Sequence, residues 1–112
     1  MKNVDHITGT TLYLTNGTHI TATRALLHAI IVVAKAEMEM YDRMQEEITE
    51  FHKNNVLNFE RKDNSGLDSS EYALENGKLM GELDCILFAN SQASKAFKLM
   101  RSAQKALALL DE

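Results

Sequence analysis

Residues 79–107 read LMGELDCILFANSQASKAFKLMRSAQKAL, and the spacing of the apolar members decides the fold. Leu79, Leu83, Ile86, Asn90, Ala93, Phe97, Met100, Gln104 and Leu107 recur at alternating steps of four and three. Sustained over about four heptads, that period describes a helix that keeps one seam against another helix. Asn90 and Gln104 interrupt the seam, and a polar residue there fixes register or oligomeric state by demanding a hydrogen-bonding partner. The same reading makes Cys85, set among seam residues, a buried thiol. Gly77 and Gly81, four residues apart, are read as admitting a second backbone close to this helix.

Composition agrees with a helical design. The 112 residues include no proline and only five glycines, and 45% are apolar, so helix breakers are few and a packed core is affordable. One domain, residues 1–112, is expected. A long helical hairpin of this size leaves apolar surface near solvent unless a second copy covers it, so a homo-oligomer is the default. A single cysteine cannot form an internal disulfide. The apolar run from Ala29 to Ala34 is too short to span a bilayer, and Met1 to Asp5 lacks the pattern of a secretion signal. A cytoplasmic protein without membrane contact is the expectation.

Outward from the seam, strand signals are confined to residues 7–22. β-Branched runs flank Thr15-Asn16-Gly17, a strong hairpin cue. A three-residue loop with Gly17 in the left-handed position pairs Tyr13 with His19 and Leu12 with Ile20. That register puts Leu12, Leu14, Ile20 and Ala22 on one face, whereas a slip of one residue would turn the apolar set outward. The first helix is expected over 23–54, capped by Thr21 or Thr23, with an apolar stripe that includes Leu27, Ile30, Ile31, Ala34, Met38, Tyr41, Met44, Ile48 and Phe51. His28, on the border of that stripe, reads as a packing residue. Asn54-Asn55 marks a stop, and 55–67 reads as a connector. The second helix is expected over 68–110, capped by Asp68, with Asn90 the place where it would divide. The fold class is therefore mainly α: an N-terminal β-hairpin followed by a long, coiled-coil-like antiparallel helical hairpin. Folded about that connector, residues whose numbers total about 123 face each other.

Charge is distributed unevenly along the chain, whose net value is −4. Glu39, Asp42, Glu46 and Glu50 form an acidic face on the first helix, and Lys95, Lys98, Arg101 and Lys105 form a basic stripe late in the second. Each is a candidate partner-binding surface. The acidic face suits a basic protein groove, and the stripe suits nucleic acid bound by a small dimer, with affinity that falls as salt rises.

Catalytic signatures are sparse. Glu47 and Glu50 form an E-x-x-E pair on one helix face, the arrangement a hard divalent cation requires. Further on, Gly81-Glu82-Leu83-Asp84 followed by Ile86-Leu87-Phe88 resembles the second acidic motif of the all-α nucleotide pyrophosphohydrolases of the MazG type. That resemblance covers about a third of the chain. It implies Mg²⁺-dependent hydrolysis of nucleoside triphosphates, with Glu47, Glu50, Glu82 and Asp84 as metal ligands. The family's second motif is E-x-x-D, whereas Glu82 and Asp84 stand two apart and point to different sides. His6, His19, His28 and His52 are scattered, and there is no phosphate-binding loop, nucleophile elbow or dinucleotide fingerprint. Apart from that Mg²⁺, no cofactor is implied.

The leading expectation is a non-enzymatic helical interaction protein that occupies a surface on a larger assembly. Small acidic chains of this build are common among phage and mobile-element accessory proteins, including inhibitors of host defence systems, an analogy of type. The pyrophosphohydrolase and the nucleic-acid-binding dimer are the alternatives.

Overall fold

The computed structural model describes residues 1–112 as three strands followed by two long helices. Strands β1 (Val4–Thr8), β2 (Thr11–Leu14) and β3 (His19–Thr21) form an antiparallel sheet in the order β1-β2-β3. Helix α1 spans Arg24–Asn64 and helix α2 spans Ser69–Leu110, together a helical hairpin. The chain gathers into two compact units. Unit 1 comprises Met1–Met40 with Gln92–Glu112, and unit 2 comprises Tyr41–Ser91.

Unit 1 holds the sheet. Leu12 pairs with Ile20 and Tyr13 with His19, the register of the three-residue loop. Gly17, at φ +87°, supplies the left-handed residue that loop needs, and Asn16 Oδ1 accepts from the Thr18 N–H at 3.0 Å. The sequence reading stopped the sheet one strand short. Val4–Thr8 pairs with β2 through a tight turn at Gly9-Thr10, with a bulge between Val4 and His6. Its polar sequence, Val-Asp-His-Ile-Thr, offers one strong apolar residue, Ile7, which is buried beside Leu12. Ile20 departs from expectation in the other direction: β3 is a three-residue edge strand, exposed along its length, and Ile20 stays 44% exposed. Ile7, Leu12 and Ala22 pack instead on Leu27 and Ile30 of α1 and Ala103 and Ala106 of α2. Arg24 and Asp111 form an ion pair between the start of α1 and the residue just beyond α2.

In both units α2 presents a different flank from the expected one. The positions shielded in unit 1 are Ala93, Ala96, Ala103 and Ala106, with Leu99, Met100 and Leu107 half-buried; in unit 2 they are Leu79, Glu82, Ile86 and Ala89. Five members of the expected seam survive: Leu79, Ile86, Ala93, Met100 and Leu107. Leu83, Asn90, Phe97 and Gln104 are exposed, and the residue before each takes its place. Alanine, with no side chain beyond Cβ, lets helix backbones approach closely, and large residues are displaced outward. Asn90 therefore neither divides α2 nor demands a buried partner. The thiol of Cys85 is exposed, as is His28, and a Cβ added at Gly77 or Gly81 would meet nothing within 4 Å. The burial expected of the thiol, the packing role given to His28 and the close backbone expected at the glycines are all corrected.

Unit 2 contains the turn between the helices. The expected connector, 55–67, shrinks to residues 65–68, because α1 continues through Asn54-Asn55 to Asn64. Tertiary partners override the weak helix propensity of asparagine: the Asn55 amide donates to Glu82, and Phe59 meets Tyr72 edge-on at 5.2 Å. Gly66, at φ +91°, ends α1 as a left-handed C-terminal residue, with its N–H donating to the Asp63 carbonyl at 3.0 Å. Asp68 caps α2 as read from sequence, its Oδ1 accepting from the Glu71 N–H at 2.8 Å. At the other end Thr23 caps α1, its Oγ1 accepting from the Leu26 N–H at 3.2 Å. With the turn moved, facing residues of unit 2 have numbers totalling about 133, as in His52 with Glu82 and Tyr41 with Phe88. The whole pairing slides by about ten residues from the one expected.

Candidate docking surfaces

The slide decides which charges meet. Glu82, which the earlier register would have set near Tyr41, lies against His52 and Asn55 on α1. Its Oε1 accepts from His52 Nδ1 at 2.9 Å and its Oε2 accepts from Asn55 Nδ2. The His52 and Glu82 side chains are 14% and 16% exposed, so a polar cluster occupies the seam where apolar contacts would be expected. Sequence reasoning missed this cluster because it followed Met44 and Phe51 as the inner stripe. Both are exposed, and His52 and Asn55 are turned toward α2. A signal was present: Tyr41, Ile48, Asn55 and Phe59 continue one helical face past Asn54.

On one side of this cluster lies an open groove of about 680 Å³. Ile48, Phe51, Phe59 and Leu79 give it apolar walls, and Gly81 and Cys85 leave its α2 side low. Lys62 and Lys78 stand at its rim, both turned to Glu75, at 3.4 and 3.7 Å. A shallower concavity is lined by Asp42, Gln45, Glu46, Thr49, Glu50 and Lys53. Three members of the expected acidic face, Asp42, Glu46 and Glu50, thus share one surface. Glu39 belongs to unit 1 and does not line it.

The four carboxylates of the metal reading do not converge. Glu47, Glu50 and Asp84 are exposed, Glu82 is held by His52 and Asn55, and no three His, Cys, Asp or Glu residues are grouped to hold an ion. The physical reason is the direction of the helix faces: Glu82 is turned into the seam toward His52 and Asn55, whereas Glu47, Glu50 and Asp84 are turned to solvent.

Unit 1 carries a second cavity, of about 470 Å³, in which Lys95 and Lys98 stand with Lys2, His6 and Glu37. Glu37 is paired with the Met1 amine. Arg101 and Lys105 do not line this cavity, and all four members of the basic stripe are exposed. By charge the units are distinct: unit 1 has seven Lys and Arg against five Asp and Glu, and unit 2 has five against eleven.

Large apolar side chains are exposed throughout unit 2: Met44, Phe51, Leu57, Tyr72, Leu74, Met80, Leu83, Leu87 and Phe88. No helix is long and apolar enough to cross a membrane. No protein-family model, curated protein or solved structure matches the chain.

Proposed function

We propose that the chain is a non-enzymatic interaction protein whose unit 2 docks on a macromolecular partner with a basic, partly apolar surface. One observation carries the reading: in unit 2 the seam between the helices is polar at His52, Asn55 and Glu82, while large apolar side chains stand exposed. Burial normally runs the other way, and contiguous exposed apolar surface ringed by charge marks contact sites. The acidic concavity at Asp42, Glu46 and Glu50 supplies the charge that would steer such a partner. A chain of this kind acts by occupying a surface, as accessory proteins and inhibitors of defence complexes do.

Reversing charge at Glu46 and Glu50 tests the proposal. The immobilised parent chain should capture a specific protein from lysate of its source cells, released by raised salt. The Glu46→Lys, Glu50→Lys double variant should lose at least about tenfold in affinity. Its thermal midpoint should stay within about 2 °C of the parent's, because both side chains are exposed. Unchanged capture by the variant would refute the assignment of this surface.

A further inference from the structure

We infer that the cavity of unit 1 binds a small organic phosphate, with its phosphoryl group among Lys2, Lys95 and Lys98 and its body against the apolar lining. The inference goes beyond the docking surface of unit 2 and does not depend on it.

Every residue that lines the cavity belongs to unit 1, so the site lies within one compact body. One wall comes from β1 and the residues before it, and the other from α2. On α2, Gln92, Lys95, Leu99 and Ser102 follow steps of three and four, one helix face over about 15 Å. Val4, Ile7, Ala96 and Leu99 supply apolar lining, and about 470 Å³ is the size of a small-molecule site. The half-buried Gln92 and Ser102 add an amide and a hydroxyl, both donors suited to phosphoryl oxygens.

Charge selects the ligand. Both carboxylates of the cavity are engaged, Glu37 with the Met1 amine and Asp5 with His6 Nδ1 at 2.5 Å. Lys2, Lys95 and Lys98 form no ion pair, whereas Lys62 and Lys78 at the groove of unit 2 are both turned to Glu75. With histidine neutral, the three lysines and the Met1 amine stand against Asp5 and Glu37, a surplus of two positive charges. A phosphomonoester above its second pKa of about 6 carries two negative charges and neutralises that surplus. Lysine is an established point-charge partner of phosphate. A nucleic-acid strand, with one charge per phosphate, would instead follow the whole basic stripe, including Arg101 and Lys105 outside the cavity.

Calorimetry and ³¹P NMR with n-butyl phosphate test the site. At about pH 7.5 and low salt the parent chain should bind with a dissociation constant of about 1 mM or tighter, and several-fold more weakly at about pH 5, where the ligand carries one charge. The Lys95→Ala, Lys98→Ala double variant should lose about tenfold or more. Both side chains are exposed, so it should keep the parent's circular dichroism. Arg101→Ala with Lys105→Ala, which leaves the lining intact, should change affinity by less than about twofold. Glutarate, whose two charges sit on separate carboxylates, should bind several-fold more weakly than butyl phosphate. No binding at about 10 mM butyl phosphate would overturn the inference. So would equal losses in the two double variants, which signify diffuse attraction to a basic surface, or glutarate binding as tightly as the phosphate. Tighter binding of a single-stranded oligonucleotide, lost on Arg101→Ala with Lys105→Ala, would replace the cavity by a nucleic-acid surface.

Discussion

Replacing Glu82 by alanine examines the slid register directly. The carboxylate accepts from His52 and Asn55, two residues of α1 that an unshifted pairing would keep away from it. A hydrogen bond to a charged acceptor contributes about 1.5–3 kcal/mol, so two would reach about 3–6 kcal/mol if both orphaned partners were sealed from water. They are not sealed: His52 retains 14% exposure and Asn55 lines the groove, so water can reach both donors. Alanine is also the better helix former by about 0.3 kcal/mol. The net loss is then about 2–3 kcal/mol, or about 10 °C in midpoint at the roughly 4 °C per kcal/mol of a chain this size. Glu82→Gln keeps an acceptor for Asn55 and should lose about half as much. The decisive assay is a double-mutant cycle by urea denaturation on His52→Ala, Glu82→Ala and their combination. Direct contact gives a coupling of about 1 kcal/mol or more, whereas distant sites add to within about 0.5 kcal/mol. Additive losses would refute the pairing of His52 with Glu82, and with it the turn at 65–68.

Leu27, fully buried beneath the sheet, should cost about 3–4 kcal/mol as Leu27→Ala, combining lost transfer energy with the cavity left behind. Phe51→Ala, at a residue 61% exposed, should cost the isolated chain under about 0.5 kcal/mol, and calorimetry distinguishes the two. At the turn, Gly66→Ala should destabilise by about 1 kcal/mol, since φ +91° strains any residue with a Cβ although nothing crowds it. Asp68→Ala should remove about 1 kcal/mol by uncapping α2, and denaturant midpoints at constant slope report both.

Much of the fold was legible because two strong periodicities carry it. The hairpin register followed from Asn16-Gly17, since only one loop length lets Leu12 share a face with Ala22. The helices followed from their repeats and from the caps at Thr23 and Asp68. The missing strand has a single strong apolar residue, Ile7, and its pairing is decided by what β2 and α1 offer it. At the helical seam, hydrophobicity was the wrong guide. Phe97 is more apolar than Ala96, yet close helix packing favours the small residue and places the large one outside, and Leu83 gives way to Glu82, which finds donors in His52 and Asn55. The candidate surfaces inherited that error. Asp42, Glu46 and Glu50 share a surface because they lie on one helix, where sequence spacing suffices. The partners of Glu82 depended on where the chain turned, and Asn54-Asn55 read as a stop when Asn55 had a partner across the seam.

The buried residues are shared out unequally, and this has a kinetic meaning. Ten of the eleven lie in unit 1, and only Ala89 lies in unit 2. Opening a segment costs what its shielded contacts supply, so the amides of Tyr41–Ser91 should exchange with solvent deuterium through local excursions. Those of the sheet and of the helix turns around Leu27 and Ala103 should wait for global unfolding. A binding surface carried on the less protected part of the chain surrenders conformational entropy when a partner settles on it. Complex formation should accordingly appear as slowed exchange spreading through Tyr41–Ser91, well beyond the residues touched.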